Sequence, residues 1–288
     1  MMTRHLFVTD LDGTLLDADS SISPRSRRIL NELIAHGVAV TAATARTPAT
    51  VMPIFAAVTP SDTPMVVMTG AALWNRRTRC YTDLRPFDRE AAAGILAAIR
   101  ACGVEPLVYT RHPADPGMLH VYYRDTVNDA TRSFVRERLD SDMKAFHLNE
   151  QPPVDSDTLL FYANGPVEQV FAAADALRSL GGCSVSAFTD IFGPETGILE
   201  VFAPGVDKAS AILRLKEHLG ATHLTVYGDN LNDIPMMAVA DDAVAVANAL
   251  PEVKAAANRV IGYNTADAVA LDIAARFPDI ITPDLLKK

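Results

Sequence analysis

The chain has 288 residues, of which 49% are hydrophobic and 21% are charged, and its formal net charge is −9. The length predicts one large domain or two, and the composition is typical of a globular protein with a sizeable core. The acidic balance argues against a general nucleic-acid or anionic-membrane surface, so neither is expected as a partner.

Three widely spaced cysteines, Cys80, Cys102 and Cys183, fit neither a disulfide framework nor a zinc site and indicate a reducing compartment. Charges between Met1 and Asp12 argue against a signal peptide, and no apolar stretch reaches the length of a membrane span. We therefore expect a cytoplasmic protein.

The first distinctive motif is Asp10-Leu11-Asp12-Gly13, which follows a short apolar run that predicts a buried strand. In an open α/β sheet, ligands bind at the carboxyl ends of strands. Asp10 and Asp12 point the same way if the chain stays extended, and they repel unless a cation or a shared proton lies between them. Two interpretations stay open: a divalent-metal site in which one aspartate is the nucleophile, or an ordinary strand-to-turn exit.

A helix is predicted from Ser23-Pro24 to Gly37, followed by strands at residues 38–43 and 64–68 and a helix between them that starts at Thr47-Pro48. This alternation predicts parallel pairing in a doubly wound sheet. Thr44 then falls at the same sheet edge as Asp10, either as a ligand-binding hydroxyl or as an ordinary loop cap.

The pattern changes after about Tyr81. Helices are predicted at residues 88–102, 128–139 and 167–180, and strands at 104–109, 118–124, 158–163 and 184–189. This pattern suggests an α+β unit with an antiparallel sheet and helices on one face. We interpret residues 85–190 as a domain inserted between two parts of a core, 1–84 and 191–288.

The core is predicted to resume with a strand at residues 198–202 and a helix at 208–219. Lys208 lies in the first helical turn, against the helix dipole, which makes sense if it points into an anionic pocket. Otherwise it is an exposed lysine whose placement costs roughly a few tenths of a kcal/mol. A strand at 224–227 runs into Gly228, and Asp229, Asn232 and Asp233 follow at the same edge. Further strands and helices up to residue 277 complete the sheet.

Together, the strand and helix ends present carboxylates, a hydroxyl, an amide and a lysine, with no cysteine or histidine among them. Such an oxygen-rich set suits Mg²⁺ better than zinc. A phosphoryl group, whose oxygens carry charge that spreads further in the transition state, needs these groups around it.

In this order the motifs resemble those of the haloacid dehalogenase superfamily, and specifically its Cof-type subclass IIB phosphatases. The resemblance covers essentially the whole chain and rests on Asp10-Leu11-Asp12-Gly13-Thr14, Thr44-Ala45-Arg46, Gly205-Val206-Asp207-Lys208 and Gly228-Asp229-Asn230-Leu231-Asn232-Asp233. It implies an α/β fold: a Rossmann-like core with an inserted α+β cap, residues 85–190, that closes over the site and governs specificity.

The resemblance also implies residue roles. Asp10 would be the nucleophile, and Asp12 the acid and base. Mg²⁺ would be held by Asp10, the backbone carbonyl of Asp12, and Asp229, with Asp233 acting directly or through water. Phosphate would be bound by Thr44, Lys208, Asn232 and the backbone around Leu11 and Ala45.

Three positions depart from the family pattern. Ala45 stands where glycine is usual, Thr69 where asparagine is usual, and Ala268 where glycine is common. The methyl group of Ala45 narrows the torsions allowed next to the phosphate. None of the changes removes a charged catalytic group, so activity is expected.

The sequence thus predicts a Mg²⁺-dependent phosphatase for small phosphorylated metabolites, most readily sugar phosphates, that works through an aspartyl-phosphate. We expect a monomer or a weak homo-oligomer. Two alternatives remain, a phosphomutase of the same superfamily and a non-catalytic phospholigand sensor on the same fold.

Overall fold

The computed structural model describes residues 4–190 and 193–287. The chain divides into two compact units: Met1–Thr82 with Asp207–Lys288, and Asp83–Val206. Residues 1–3 and 288 of the predicted core lie outside the described residues, as does residue 191, where its second part was predicted to begin.

Helices and strands are numbered in chain order along the whole chain. The first unit contains strands β1 (His5–Thr9), β2 (Ala39–Ala42), β3 (Met65–Val67), β4 (Ala72–Asn75), β5 (Cys80–Thr82), β12 (His223–Gly228), β13 (Asp242–Ala245) and β14 (Arg259–Val260). Its helices are α1 (Pro24–Ala35), α2 (Pro48–Val51), α6 (Lys208–His218), α7 (Ile234–Ala238), α8 (Pro251–Ala256) and α9 (Ala268–Ala274).

The main sheet of this unit has five strands in the order β14-β13-β12-β1-β2, and every neighbouring pair is parallel. Leu6, Phe7 and Val8 of β1 are fully buried, as expected for a strand covered on both faces. The chain adds β2 on one side of β1 and β12 to β14 on the other. The carboxyl ends of β1 and β12 therefore form the switch point where ligands bind in such sheets, and the predicted doubly wound fold is confirmed.

The predicted start of α1 is confirmed. The Ser23 side chain accepts a hydrogen bond from the Ser26 N–H, and Pro24 occupies the first helical position. Such a cap satisfies one of the donors that a helix leaves free at its start.

The strand predicted at residues 64–68 does not extend the parallel sheet. Its counterpart β3 pairs antiparallel with β4, which pairs antiparallel with β5, and a single parallel bridge joins Ala43 to Val66. The hairpin strands β4 and β5 were not predicted, because four and three residues carry too little periodicity to read.

The second unit contains strands β6 (Leu107–His112), β7 (Asp115–Tyr123), β8 (Lys144–Leu148), β9 (Asp157–Pro166), β10 (Ser184–Asp190) and β11 (Gly193–Phe202), and helices α3 (Arg89–Ala101), α4 (Asp129–Arg136) and α5 (Val167–Leu180). The sheet order is β10-β11-β9-β6-β7-β8. All neighbours are antiparallel except β7 and β8, which are parallel. The sheet is therefore mixed rather than purely antiparallel.

The predicted end of the inserted unit at residue 190 is wrong. The strand predicted at 198–202 for the core is part of β11, which pairs with both β9 and β10 of the second unit. Leu199 and Val201 are fully buried there. A short apolar strand has the same sequence pattern in either sheet, so its partner strands could not be deduced from its sequence.

The helices of the second unit lie on both faces of its sheet, contrary to the prediction. α5 packs beside Gly197, where an added Cβ would lie 2.8 Å from the Val170 Cβ. Gly197 of β11 pairs with Gly165 of β9, so the two residues share the face on which α5 lies. Tyr162 is three residues before Gly165 on β9, so its side chain points to the opposite face. Phe134 of α4 stacks on Tyr162 with ring centroids 5.1 Å apart.

Among the described residues, no helix combines the length and hydropathy that crossing a bilayer requires.

Candidate active site

The site begins where β1 ends. The Asp10 N–H donates to the Tyr227 carbonyl of β12 at 2.9 Å, and Asp10 is only 8% exposed. The chain then turns through Leu11–Leu15, with Gly13 at φ 78°. A Cβ at Gly13 would lie 2.9 Å from the Asp229 Cγ, so only glycine allows this close approach.

The loop after β12 brings in two more carboxylates. Oδ2 of the fully buried Asp233 accepts the N–H groups of Asp229 at 3.0 Å and Asn230 at 3.1 Å. Gly228 makes this fold-back possible, because a Cβ there would lie 2.6 Å from the Asp233 Cβ. Asp229 Oδ1 accepts from the hydroxyl of buried Thr14 at 2.8 Å.

Lys208 links the two loops. Its Nζ donates to Asp10 Oδ1 at 2.6 Å and to Asp233 Oδ1 at 2.7 Å, and the residue is 1% exposed. Burial lowers the pKa of Lys208, but the two carboxylates outweigh burial and raise it above its usual range. The side chain is therefore a fixed positive charge. Asp207 is the N-cap of α6, and its side chain accepts a hydrogen bond from the Ser210 N–H. This cap offsets the unfavourable position of a lysine in the first turn of the helix.

One carboxylate oxygen from each of Asp10, Asp229 and Asp233 lies within 4.8 Å of the other two. One ammonium group faces these three acids, so the ionised cluster has excess negative charge. Burial raises the pKa of Asp10 to about 7, and burial raises the pKa of Asp229 to about 6. Within the described residues, Oδ2 of Asp10 and Oδ2 of Asp229 accept no hydrogen bond. These free hard oxygens and the excess charge fit a divalent cation such as Mg²⁺.

The carboxylate of Asp12 points elsewhere. Arg46 holds both of its oxygens, with Nε 2.7 Å from Oδ2 and Nη2 2.6 Å from Oδ1, while the Asp12 side chain is 51% exposed. The hydrogen bonds to Asp12 raise the pKa of Arg46. The Asp12 side chain is thus outside the carboxylate cluster. Sequence reasoning included Arg46 in a motif but gave it no role.

Thr44 is buried at the end of the neighbouring strand. Its backbone N–H donates to the Val66 carbonyl at 3.0 Å, and its Oγ1 accepts from the Arg46 N–H at 3.1 Å. Ala45 is exposed, and its φ lies outside the left-handed region, so the backbone tolerates alanine in place of glycine.

Two of the remaining predicted residues differ in exposure. Leu11 is fully buried, so only its backbone can reach a ligand. Asn232 is exposed and makes no side-chain hydrogen bond within the described residues.

Asn248 is a residue that sequence reasoning missed. Its Nδ2 donates to the Gly13 carbonyl at 2.7 Å, and its Oδ1 accepts from the Asn264 N–H at 3.1 Å. It follows β13, at the same sheet edge as the aspartates, and that position was the signal that could have identified it.

A strained turn supports the Thr44 loop from behind. Met68 and Thr69 have φ values of 51° and 55°, in the left-handed region that β-branched residues avoid. The Thr69 N–H donates to the Thr44 carbonyl at 3.0 Å, and the Met68 N–H donates to the Arg46 carbonyl at 3.1 Å. The buried Thr69 Oγ1 has no partner among the described residues.

The sequence profile of haloacid dehalogenase-like hydrolases matches residues 7–273. An HMP-PP phosphatase of Serratia proteamaculans is 29% identical to this chain. The aligned region covers 92% of this chain and 93% of the relative. A pyridoxal phosphate phosphatase of Escherichia coli is 25% identical, covering 91% of this chain and 97% of the relative.

A solved structure of a subclass IIB sugar phosphatase of the haloacid dehalogenase superfamily is similar in fold. It superposes with a TM-score of 0.68 at 19% identity, covering 97% of this chain and 100% of the other. The match to the family profile spans most of the chain. The protein therefore belongs to the haloacid dehalogenase-like hydrolases and is a Cof-type phosphoric monoester hydrolase.

Proposed function

We propose that this enzyme hydrolyses small phosphorylated metabolites with the help of Mg²⁺, through a covalent aspartyl-phosphate on Asp10. The observation that carries the proposal is the buried cluster of Asp10, Lys208, Asp229 and Asp233. It provides a fixed carboxylate beside a fixed positive charge, at the switch point of the sheet.

Asp10 is the group best suited to attack phosphorus. Lys208 holds Oδ1 of Asp10, which leaves Oδ2 as the nucleophilic oxygen. In the first step the bond from Oδ2 to phosphorus forms while the bond to the leaving oxygen breaks, and Asp12 gives its proton to that oxygen. In the second step Asp12 takes a proton from a water molecule, which attacks phosphorus and frees Asp10.

Mg²⁺ would be held by Asp10, the backbone carbonyl of Asp12, and Asp229. Both oxygens of Asp233 already accept hydrogen bonds, from Lys208 and from the Asp229 and Asn230 N–H groups, which favours contact through water for this residue. When bound, the ion supplies positive charge against the phosphate dianion, which an isolated carboxylate would repel.

The phosphate oxygens would be bound by Thr44, Lys208, Asn232 and the backbone N–H groups of Leu11 and Ala45. Oγ1 of Thr44 accepts one hydrogen bond from the Arg46 N–H and keeps its own proton to donate. Ala45 and Asn232 are exposed at this edge of the sheet, so a ligand can reach them.

For the leaving group we propose a sugar first, as the family resemblance implies. The relatives named for HMP-PP and pyridoxal phosphate support including other monophosphates in the same test. We also propose that the inserted unit selects among them, and that the enzyme works in the cytoplasm, since Cys80, Cys102 and Cys183 are all free thiols.

The test is phosphate release from an aryl phosphate and a panel of metabolite monophosphates. Wild type, Asp10→Asn and the exposed control Asp19→Asn are each assayed with Mg²⁺ and with EDTA. We expect turnover only with Mg²⁺, a loss of roughly 10³-fold or more in Asp10→Asn, and no change in Asp19→Asn.

Two results would favour the alternatives. Turnover that requires an added bisphosphate would indicate a phosphomutase. Binding of phosphorylated ligands without turnover, in protein shown to bind Mg²⁺, would indicate a phospholigand sensor.

A further inference from the structure

We propose that Arg46 is a positioning residue that fixes the carboxylate of Asp12 and thereby sets how well the enzyme cleaves esters with poor leaving groups. This inference rests on the proposed function, in which Asp12 protonates the leaving oxygen. It concerns a residue to which the motif analysis gave no role.

The contact between the two side chains is a two-point clamp. Nε and Nη2 of Arg46 lie 2.7 Å and 2.6 Å from the two oxygens of Asp12. Such a fork fixes both the position and the plane of a carboxylate, which a single-point contact cannot do. Asp12 forms no other side-chain hydrogen bond within the described residues, and half of its side chain is exposed. Among the described residues, Arg46 is therefore the side chain that holds the Asp12 carboxylate in place.

Arg46 is itself anchored at both ends of its backbone. Its N–H donates to Thr44 Oγ1, and its carbonyl accepts from the Met68 N–H, each at 3.1 Å. The turn of Met68 and Thr69 also supports Thr44 through the Thr44 carbonyl. Because the Arg46 backbone is anchored in this way, its guanidinium can hold the side chain of Asp12, which lies in a different loop.

A direct phosphate-binding role for Arg46 is the rival explanation. The positive charge closest to Asp10 is Lys208, with its Nζ 2.6 Å from Oδ1, whereas the hydrogen bonds of the Arg46 guanidinium go to Asp12. The two roles differ in what they predict for different leaving groups. A phosphate-binding arginine serves all substrates alike, whereas a clamp on Asp12 matters only where the leaving oxygen needs a proton.

Leaving groups provide that distinction. A nitrophenolate leaves as a stable anion, so the phosphorus–oxygen bond can break without proton transfer. An alkoxide is strongly basic, so the proton of Asp12 must move to the leaving oxygen as that bond breaks. Displacing Asp12 should therefore impair alkyl phosphates far more than aryl phosphates.

The experiment measures kcat and KM of wild type, Arg46→Ala and Arg46→Lys on nitrophenyl phosphate and on an alkyl monophosphate. In Arg46→Ala we expect kcat on the alkyl ester to fall by roughly 10²-fold or more, and kcat on the aryl ester by less than about 10-fold. Arg46→Lys should resemble Arg46→Ala, because one ammonium cannot hold both oxygens. Added guanidinium should restore part of the alkyl turnover of Arg46→Ala.

Arg77→Ala is the matched control. Arg77 pairs with Asp62 at 2.8 Å in the same unit, and both side chains are largely exposed. This variant should keep the kinetics of wild type on both esters, so a selective effect at Arg46 cannot come from losing a surface arginine.

Equal losses on both esters with a raised KM would overturn the clamp in favour of phosphate binding. Full activity of Arg46→Lys would overturn it as well, since charge alone would then suffice. The phosphatase proposal has a separate failure: wild type inactive on both esters, or Asp10→Asn as active as wild type.

Discussion

The two units each bury a lysine, and they do so in opposite ways. In the first unit, Lys208 is 1% exposed and donates to Asp10 and Asp233. In the second, Lys144 is 5% exposed, forms no ion pair with any carboxylate among the described residues, and lies 5.4 Å from the centroid of the Tyr109 ring. Burial, together with repulsion from Arg138, lowers the pKa of Lys144 to about 8, whereas the pKa of Lys208 is raised.

Lys208 carries a charge that the proposed chemistry needs, whereas Lys144 carries a charge that the fold accommodates without a carboxylate partner. A buried ammonium costs several kcal/mol unless a partner offsets it, so the carboxylates around Lys208 make that charge permanent. Among the described residues, Lys144 faces the Tyr109 ring instead of a carboxylate, and an aromatic ring is a weaker partner for an ammonium group. We infer that replacing Lys208 impairs activity, whereas replacing Lys144 by an apolar residue improves stability.

The largest effect is expected at Lys208. In Lys208→Met the carboxylates of Asp10 and Asp233 lose their shared donor, and the transition state loses a fixed positive charge. Turnover should fall by roughly 10²-fold or more, measured as phosphate release. Lys216→Met is the control, because Lys216 lies on the same helix α6 and pairs with Asp241 at the surface. Wild-type turnover in Lys208→Met, with its fold verified by circular dichroism, would remove Lys208 from the proposed machinery.

A smaller and opposite effect is expected at Lys144. Lys144→Met should stabilise the protein by about 2 kcal/mol at pH 7, because an apolar side chain replaces a buried charge. Thermal melting of the full chain measures the difference between the two proteins.

The pH dependence of the free energy of unfolding tests whether the buried charge causes this gain. Lys144 has a pKa near 8 in the folded protein, below the ordinary lysine value of 10.5, so between those pH values the unfolded chain binds more protons. Its contribution to the free energy of unfolding therefore rises with pH across that window, and the advantage of Lys144→Met should shrink from pH 7 to pH 10. An advantage that stays constant with pH would show that packing, not charge, is responsible.

The smallest effect is expected at Thr69, at the strained turn behind Thr44. Thr69→Asn should stabilise the protein by about 1 kcal/mol, because asparagine tolerates the left-handed conformation better than a β-branched residue. Thr69→Val separates the causes, since it removes the unpartnered hydroxyl and keeps the branching. A gain in Thr69→Val equal to that in Thr69→Asn would assign the cost to the hydroxyl rather than to the backbone.

The residues around Lys208 also show which features of the protein could be predicted from its sequence. Asp10, Lys208, Asp229 and Asp233 were predicted to meet, because the carboxyl ends of neighbouring parallel strands must share one edge. The bounds of α5 in the second unit, residues 167–180, were predicted as observed. The parallel sheet thus determines which site residues meet, and single helices can be placed before their packing partners are known.

Features that depend on partners distant in sequence were not predictable. β11 was assigned to the wrong unit, because alternate burial does not reveal which strands lie beside it. The clamp of Arg46 on Asp12 and the hydrogen bond of Asn248 to Gly13 depend on side-chain geometry between loops. β8 was missed because its five residues mix charged and aromatic side chains without a clear period.

The most direct test of the central claim is to trap the covalent intermediate. The enzyme is mixed with an aryl phosphate and Mg²⁺, quenched in acid during the first turnover, and digested for peptide mapping by mass spectrometry. We predict a phosphoryl adduct on Asp10 that is absent from Asp10→Asn. An adduct on another residue, or none at all while phosphate is released in a burst, would contradict Asp10 as the nucleophile.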